Sequence, residues 1–371
     1  MRATDVDSAT DDNAVTSRPG PVAAPWSPES STPPPPERQG SGEPSRTGPA
    51  SALLARGAER YGLVVLLVGM VAFFALLPSS GEAFRSSANI QSVLANQAVG
   101  LTVALALLMP LTAGHFDFSV GATTAGSCVV SAAVMAQHGA PLVIGVGAGV
   151  GTGLVIGLLL GVMVAYGGMN SFIATLGMAT LIGGGIFAYT DGLQITGDLP
   201  VPLTDLGSRT LLGVPSIVWL AVGVALAAWF LTAHTPLGRH LFAIGSNADA
   251  AKLVGLDVRR VTVAAFAMSG LLSGIAGVLL LARQGSATSE NGMTMLFPAL
   301  TAVLLSTVVL DIGRPSVVGV VVGVLFVAVS ISGLTLAGAP VWISQVFNGA
   351  ALLLAVAISS LGRRVASRAG T

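Results

Sequence analysis

The run PLVIGVGAGVGTGLVIGLLLGVMVAY, residues 141–166, carries no charged side chain. A helix of roughly 20 apolar residues crosses the hydrocarbon core of a bilayer, which is about 30 Å thick. The run is long enough for such a crossing, so it predicts a transmembrane helix. Its glycines would let another helix approach closely in lipid; they are Gly145, Gly147, Gly149, Gly151, Gly153, Gly157 and Gly161.

Most of the chain has the same apolar character. Of its 371 residues, 53% are hydrophobic and only 9% are charged, whereas about a quarter of the residues of a soluble domain are charged. Runs long enough to cross a membrane occupy 61–78, 93–113, 119–137, 141–166, 171–189, 214–233, 261–283, 296–310, 316–336 and 340–361. We therefore expect an all-α polytopic membrane protein with about ten transmembrane helices.

The N-terminal region differs from the rest of the chain. Residues 1–55 are rich in Pro and Ser, with consecutive prolines at 33–36, and cannot bury enough apolar surface to offset the entropy of ordering. We expect a disordered cytoplasmic tail, since no apolar run that could serve as a secretory signal precedes residue 61. Residues 56–365 then form the transmembrane domain, and residues 366–371 form a cytoplasmic C-terminal end.

The distribution of basic residues predicts the orientation of the spans, because Arg and Lys accumulate on the cytoplasmic side. With ten spans and the N-terminus inside, most basic residues beyond position 50 fall on cytoplasmic pieces: Arg56, Arg60, Arg239, Lys252, Arg259, Arg260, Arg314, Arg363, Arg364 and Arg368. Those on the outside are Arg85, Arg209 and Arg283. Both termini and the segment 234–260 are therefore predicted to be cytoplasmic.

Several kinds of chemistry find no support in the sequence. The single cysteine, Cys128, lies in an apolar run, which excludes an intrachain disulfide and a cysteine-based metal site and favours a buried filler. The only lysine, Lys252, precedes Leu253, whereas a phosphate-binding P-loop needs Gly-Lys-Ser/Thr. We expect neither a metal, a cofactor nor an enzymatic activity in this chain. The absence of a basic stripe argues against a nucleic-acid partner.

The segment TPLGRHLFAIGSNADAAKLVGLDVRR, residues 235–260, contains the signals of a short polar helix. Ser246 or Asn247 can cap its start, and Gly255 can supply a left-handed stop. Asp249 suits the first turn and Lys252 the last; the small pair Ala250 and Ala251 gives the helix a low-profile face. Because an isolated helix this short is marginal in water, we expect it to dock in a groove of another protein.

This segment resembles the coupling loop of sugar-type permeases of ATP-binding-cassette (ABC) importers, the ribose-permease-like family. The family pattern T-x-x-G-R, A-I-G-x-N and A-A-x-x-x-G is matched by Thr235, Gly238, Arg239, Ala243, Ile244, Gly245, Asn247, Ala250, Ala251 and Gly255. Two further motifs agree with it: LTAGHFDFSVG at 111–121 resembles the family's G-G-I-D-L-S-V-G, and NSFIATLG at 170–177 resembles its N-x-F-I-A-T-L-G. The resemblance runs from about residue 85 to the C-terminus.

The chain departs from the family pattern at two places. Leu310–Pro315 stands where the family usually has G-G-x-G, and His115-Phe116 replaces part of the first motif. These changes leave the coupling loop intact, so they bear on the solute or on pairing with a second, different permease.

The resemblance implies a set of partners and a direction of transport. It implies two cytoplasmic ABC ATPase subunits that use ATP and Mg, a second permease subunit in a homo- or heterodimer, and an extracytoplasmic solute-binding protein. The chain then lies among lipids in the plasma membrane of a prokaryote and admits a monosaccharide such as ribose or a similar small polar solute. The coupling residues it implies are Gly238, Arg239, Gly245, Asn247, Ala250, Ala251, Lys252 and Gly255.

Candidates for the substrate pathway come from the other two motifs: Asp117, Ser119, Asn170, Ser171 and Thr175. An ionisable group at membrane depth normally faces protein or water and has a partner. The carboxylate of Asp117 can accept hydrogen bonds from a sugar hydroxyl or from the backbone of a broken helix at Phe118–Gly121. Asn170 and Ser171 are open to the same two readings, solute contact or helix cap.

An ion-coupled secondary transporter of a small polar solute is the alternative. Such a carrier usually contains several buried acids or histidines as proton or ion relays. Only Asp117 and His115 qualify in this chain, so the importer permease is the preferred prediction.

Overall fold

The computed structural model describes residues 49–288, 290–307 and 314–369. Within these ranges the chain forms α1 Pro49–Leu76, α2 Gly81–Arg85, α3 Ser87–Thr112, α4 Val120–Ala132, α5 Leu142–Ala165, α6 Ser171–Thr190, α7 Val201–Ser208, α8 Ser216–His234, α9 Pro236–Ser246, α10 Ala248–Leu253, α11 Val258–Gln284, α12 Glu290–Ser306, α13 Val317–Leu336 and α14 Trp342–Ala369. A π-helical turn, Ala133–Gln137, extends α4. A hairpin of two short strands, β1 Thr210–Leu211 and β2 Val214–Pro215, precedes α8.

The helices agree with the predicted membrane crossings. In the described part of the chain, 7 helical segments are long and apolar enough to span a bilayer: α3, α4 with its π turn, α5, α6, α8, α11 and α13. Shorter apolar stretches occupy Gly62–Leu76 of α1, Leu296–Ser306 of α12 and Trp342–Ala357 of α14. Within the described residues each predicted run falls on a helix, which confirms the all-α polytopic fold.

Several helix ends differ from the predicted boundaries. α1 begins at Pro49, inside the predicted tail 1–55, and α14 continues to Ala369, past the predicted start of the C-terminal end at 366. The apolar pattern locates a crossing, but a helix can continue through polar residues beyond it, so hydropathy leaves its last turns undefined. Residues 1–48 and residues 310–313 of the departure from the family pattern at Leu310–Pro315 lie outside the described residues.

α11 occupies the centre of the helical domain. It packs against α3, α4 and α5, and Ala265, Phe266 and Ala276 are fully buried along it. A helix that is apolar on all sides belongs in an interior of this kind.

Glycines allow α5 and α11 to meet backbone to backbone. A Cβ added to Gly153 would lie 2.7 Å from the Cα of Gly274, and one added to Gly157 would lie 2.9 Å from the Cα of Gly270. No side chain larger than hydrogen fits at these distances, so the predicted packing role is confirmed here. Gly147, by contrast, has open space around its Cβ position.

Candidate functional site

The segment between α8 and α11 contains two helices where the sequence predicted one. The additional helix is α9, which Thr235 caps: its hydroxyl accepts a hydrogen bond from the Gly238 N–H at 3.5 Å, and Pro236 stands in the first turn. A threonine cap followed by proline is a common start of a helix. That pair is the local signal from which α9 could have been predicted.

α10 is the predicted short helix. Asn247 caps it, because its Oδ1 accepts hydrogen bonds from the N–H groups of Asp249 at 3.1 Å and Ala250 at 3.0 Å. Ser246, the other predicted cap, is instead the last residue of α9. The start of α10 is therefore fixed by one side chain that satisfies two backbone donors.

The other end of α10 is closed mainly by the backbone. Gly255 has a φ of +86°, the left-handed conformation predicted for it, and the N–H of Leu256 donates to the carbonyl of Ala251 at 3.1 Å. Lys252 Nζ lies 3.0 Å from Asp249 Oδ1, with both side chains exposed. An exposed pair of this kind contributes about 1 kcal/mol at most, so the caps do more than the charges to hold α10.

The two faces of α10 have different surroundings. Ala251 is only 4% exposed and packs in an apolar cluster with Leu241 of α9, whereas Ala250 is exposed. At the end of the helix, its last residue Leu253 is 89% exposed and the C-cap Val254 is 78% exposed. The sequence interpretation did not single out these two residues. They form an apolar tip, Leu253–Val254, on an otherwise polar segment.

α9 lies directly on the ends of two membrane helices. A Cβ on Gly238 would collide with the carbonyl oxygen of Thr232 in α8, and one on Gly245 would collide with the carbonyl oxygen of Thr112 in α3. These two predicted coupling residues therefore contact their own chain by backbone. Arg239, between them in sequence, is exposed.

Asp117 lies in the turn between α3 and α4, residues 113–119, which we call the α3–α4 joint. Its side chain is 3% exposed. Oδ1 accepts hydrogen bonds from the N–H of Ser119 at 3.0 Å and from its hydroxyl at 2.6 Å, while Oδ2 accepts one from the hydroxyl of Ser269 in α11 at 2.8 Å. Both carboxylate oxygens are thus satisfied within the chain. Ser269, which sequence reasoning missed, connects the joint to the central helix.

The remaining pathway candidates lie at the start of α6. The Thr175 hydroxyl accepts a hydrogen bond from the Phe118 N–H at 3.1 Å and donates one to the carbonyl of Ser171 at 2.8 Å. Asn170 Oδ1 accepts from the Phe172 N–H at 2.9 Å, so it is the N-cap of α6. The helix-cap reading left open for Asn170 is the one that its geometry favours.

A continuous set of contacts leads from α10 into the membrane domain. α10 packs on α9 through Ala251, α9 meets the end of α3 at Gly245, and the α3–α4 joint is bonded to α11 through Asp117 and to α6 through Phe118. Within the joint, Gly114 also lies against α9: a Cβ added to Gly114 would be 3.5 Å from the Cα of Gly245. These contacts form one path through the described residues from α10 to α6 and α11.

Comparison with protein-family models finds one match over most of the helical domain. The model described as "Branched-chain amino acid transport system / permease component" matches residues 89–356. No solved structure matches the chain.

Several curated proteins similar to the chain carry the name "Autoinducer 2 import system permease protein LsrD". The protein from Yersinia enterocolitica is 35% identical over 260 residues, which cover 68% of this chain and 78% of the relative. The one from Photorhabdus luminescens is 30% identical over 305 residues, 80% of this chain and 91% of the relative. The one from Photorhabdus laumondii is 32% identical over 260 residues, 68% and 78% of the two chains.

Proposed function

The chain belongs to the permease components of branched-chain amino acid and sugar-type ABC importers, and we propose that its solute is a monosaccharide such as ribose or a similar small polar molecule. The family places it in the inner membrane of a bacterium as a multi-pass transport component. We infer that both termini and the segment 234–260 are cytoplasmic, as the distribution of arginines favours.

One observation supports the coupling mechanism above all others: a capped helix protrudes from the membrane domain and ends in an exposed apolar tip. Exposed apolar surface that lies outside lipid is a recognised mark of a protein interaction site. A helix that inserts its apolar residues into a groove is a common docking mode. In this proposal Leu253 and Val254 enter a groove on a cytoplasmic ABC ATPase subunit.

The coupling residues divide into two groups by their surroundings. Those whose exposed side chains make no capping contact face the ATPase: Arg239, Ala250 and Lys252. Those that shape or anchor α9 and α10 keep the docking surface in place: Gly238, Gly245, Asn247, Ala251 and Gly255. ATP and Mg act in the ATPase, whose closure draws α10 toward its counterpart in the second permease subunit.

Asp117 serves in this proposal as a positioning residue. Its hydrogen bonds to Ser119 and Ser269 hold the α3–α4 joint against α11, and the joint is the piece that α9 contacts. The role assigned to Asp117, Ser119, Asn170, Ser171 and Thr175 in the substrate pathway stays a prediction. The bonds in this cluster favour transmission of movement over direct solute contact.

The identity of the solute has two candidates. The family resemblance favours ribose or another monosaccharide, and the printed name of the similar proteins favours autoinducer 2. Either solute reaches the permease from an extracytoplasmic binding protein, and the pathway is completed by the second permease subunit. Delivery by the binding protein and passage through the permease pair are the same whether the second subunit is a copy of this chain or a different one.

Proteoliposomes that contain the permease pair and its ATPases test this proposal. D-Ribose or autoinducer 2 is supplied with the binding protein on one side and MgATP on the other. We expect uptake that stops when the P-loop lysine of the ATPase is replaced. Uptake at the full rate with the inactive ATPase, lost on adding an ionophore, would establish the ion-coupled carrier instead. Transport of neither solute would overturn the proposed substrate class.

A further inference from the structure

Two adjoining cavities open between α3, α12 and α13. Their volumes are about 280 Å³ and about 160 Å³, and they share Asn96, Gln97 and Ile331 as lining residues. Together they fall in the range of small-molecule sites, roughly 300–1,000 Å³. We call them the outer cleft and define it by its amide and hydroxyl side chains: Asn89, Ser92, Asn96, Gln97, Thr294, Ser332 and Thr335.

The outer cleft lies at the end of α3 opposite to the α3–α4 joint. At a rise of about 1.5 Å per residue, Asn96 is about 14 Å and Gly100 about 20 Å along α3 from its first residue. Gly100 lines the deeper cavity, so the cleft extends from the helix ends to about the middle of α3. In the proposed orientation its mouth is extracytoplasmic, where a binding protein would release solute.

The polar side chains of α3 that line the outer cleft require water or a ligand as hydrogen-bond partners. Ser92 and Asn96 are exposed, although they lie on a helix that is long and apolar enough to cross the membrane. A buried amide or hydroxyl without a hydrogen-bond partner costs several kcal/mol in an apolar medium, on the order of 2–7. The large exposed side chains of α5, by comparison, are apolar, as Val143, Ile144 and Val155 show. The α5 face suits lipid and the outer cleft does not.

Two of the three amide side chains in the cleft already accept hydrogen bonds from the protein, and the third accepts none from the described residues. Arg283 Nε donates to Asn96 Oδ1 at 3.0 Å, and the Ser332 hydroxyl donates to Asn89 Oδ1 at 3.0 Å. The Gln97 carboxamide makes no hydrogen bond within the part of the chain that the structure describes. Gly100 leaves room for it, since a Cβ there would lie 3.0 Å from Gln97 Oε1. Gln97 is therefore the side chain placed to receive a ligand.

The chemistry of the cleft selects a class of ligand. A carboxamide has both N–H donors and a carbonyl acceptor, and a hydroxyl is both donor and acceptor. Two neighbouring hydroxyls of a polyol can therefore bind one carboxamide together, one hydroxyl accepting from its NH2 and the other donating to its carbonyl oxygen. The residues that line the two cavities carry no charged side chain. The guanidinium of Arg283, bonded to Asn96 at the edge of the cleft, is the one charge beside it among the described contacts.

We propose that the outer cleft is a binding site for a small neutral polyhydroxylated solute and that Gln97 is its principal contact. This site rests on the proposed function, since it is the point at which the importer accepts its solute. It lies apart from the Asp117 cluster, so entry of solute and transmission of movement occur at opposite ends of α3.

Cysteine accessibility in whole cells tests the site. In a Cys128→Ala background, Gln97→Cys is expected to react with a membrane-impermeant maleimide added outside, and saturating D-ribose or ribitol slows the reaction several-fold. Leucine, a zwitterion, gives no protection. Val155→Cys, on the lipid-facing side of α5, is the matched control and stays unreactive. Lack of labelling at residue 97, labelling only when the second permease subunit is absent, or protection by leucine in place of ribose would overturn the proposal.

The dependence of uptake on solute concentration is a second test of the site. Gln97→Leu is expected to raise the solute concentration for half-maximal uptake about tenfold, the effect of one lost hydrogen bond, and Gln97→Asn to recover part of it. ATPase co-purification stays unchanged. If uptake by the unaltered importer does not depend on ATP, the proposed function fails while the labelling result still decides the site. If uptake is ATP-dependent and Gln97→Leu has no effect, the site alone fails.

Discussion

Replacing Leu253 and Val254 with alanine should detach the ATPase without disturbing the permease. In the single chain 89% of Leu253 and 78% of Val254 is exposed, so neither contributes much to folding. Full burial of such a side chain contributes about 1.5–3 kcal/mol, and alanine keeps part of it, so we expect a loss of about 1–2 kcal/mol at each position. Because 1.4 kcal/mol corresponds to a tenfold change, the double variant should bind roughly 30-fold to 1,000-fold more weakly.

The assay is equilibrium binding of the ATPase to the permease in nanodiscs, followed by uptake in cells. Leu181→Ala is the matched control, since Leu181 is 71% exposed on α6 and remote in sequence from the coupling segment. The thermal midpoint of the permease should be the same in all variants. An affinity equal to that of the unaltered chain would refute the docking role of the apolar tip. A fall in both affinity and thermal midpoint would show that the tip supports the fold.

Three further substitutions test other parts of the structure. Asp117→Asn turns one of the two acceptor oxygens into an NH2 donor, so a hydrogen bond from Ser119 or Ser269 is lost and a buried group is left unsatisfied, at a cost of about 1–3 kcal/mol; uptake should fall at least tenfold with ATPase binding retained, and an equal loss of both would mark a folding residue. Ala251→Pro removes the N–H that donates to the Asn247 carbonyl at 3.0 Å and costs about 3 kcal/mol or more; ATPase co-purification should be lost while the permease stays in the membrane, and normal uptake would contradict this. Gly153→Ala should destabilise by about 1–3 kcal/mol through overpacking, measured as a lower thermal midpoint, whereas Gly147→Ala, with open space around it, should be neutral.

The membrane crossings could be predicted because the bilayer sets a length that a sequence must meet. The ends of α10 could be predicted for a different reason: Asn247 and Gly255 act on their own neighbours in the chain. α9 begins at a local signal, the Thr235 cap followed by Pro236. Its packing on α3 at Gly245 is a contact between distant parts of the chain, which the sequence does not display.

The role of Asp117 could not be settled from the sequence. Its position in an apolar region predicts that it has a partner, but Ser269 is separated from it by 152 residues. The same limit applies to the apolar tip at Leu253 and Val254, since composition does not tell which apolar residues of a short helix face their own chain. Tertiary packing decides both questions.

The direct seating of α9 on α8 and α3 has a mechanical consequence. Where Gly238 and Gly245 meet carbonyl groups of these helices, no long side chain lies between the two backbones to change rotamer and absorb a push. The contact is rigid, so a displacement of α9 would be passed to α8 and α3 almost unchanged. In the proposed coupling mechanism, a movement imposed on α9 by the ATPase would therefore reach the membrane helices with little lost to local rearrangement.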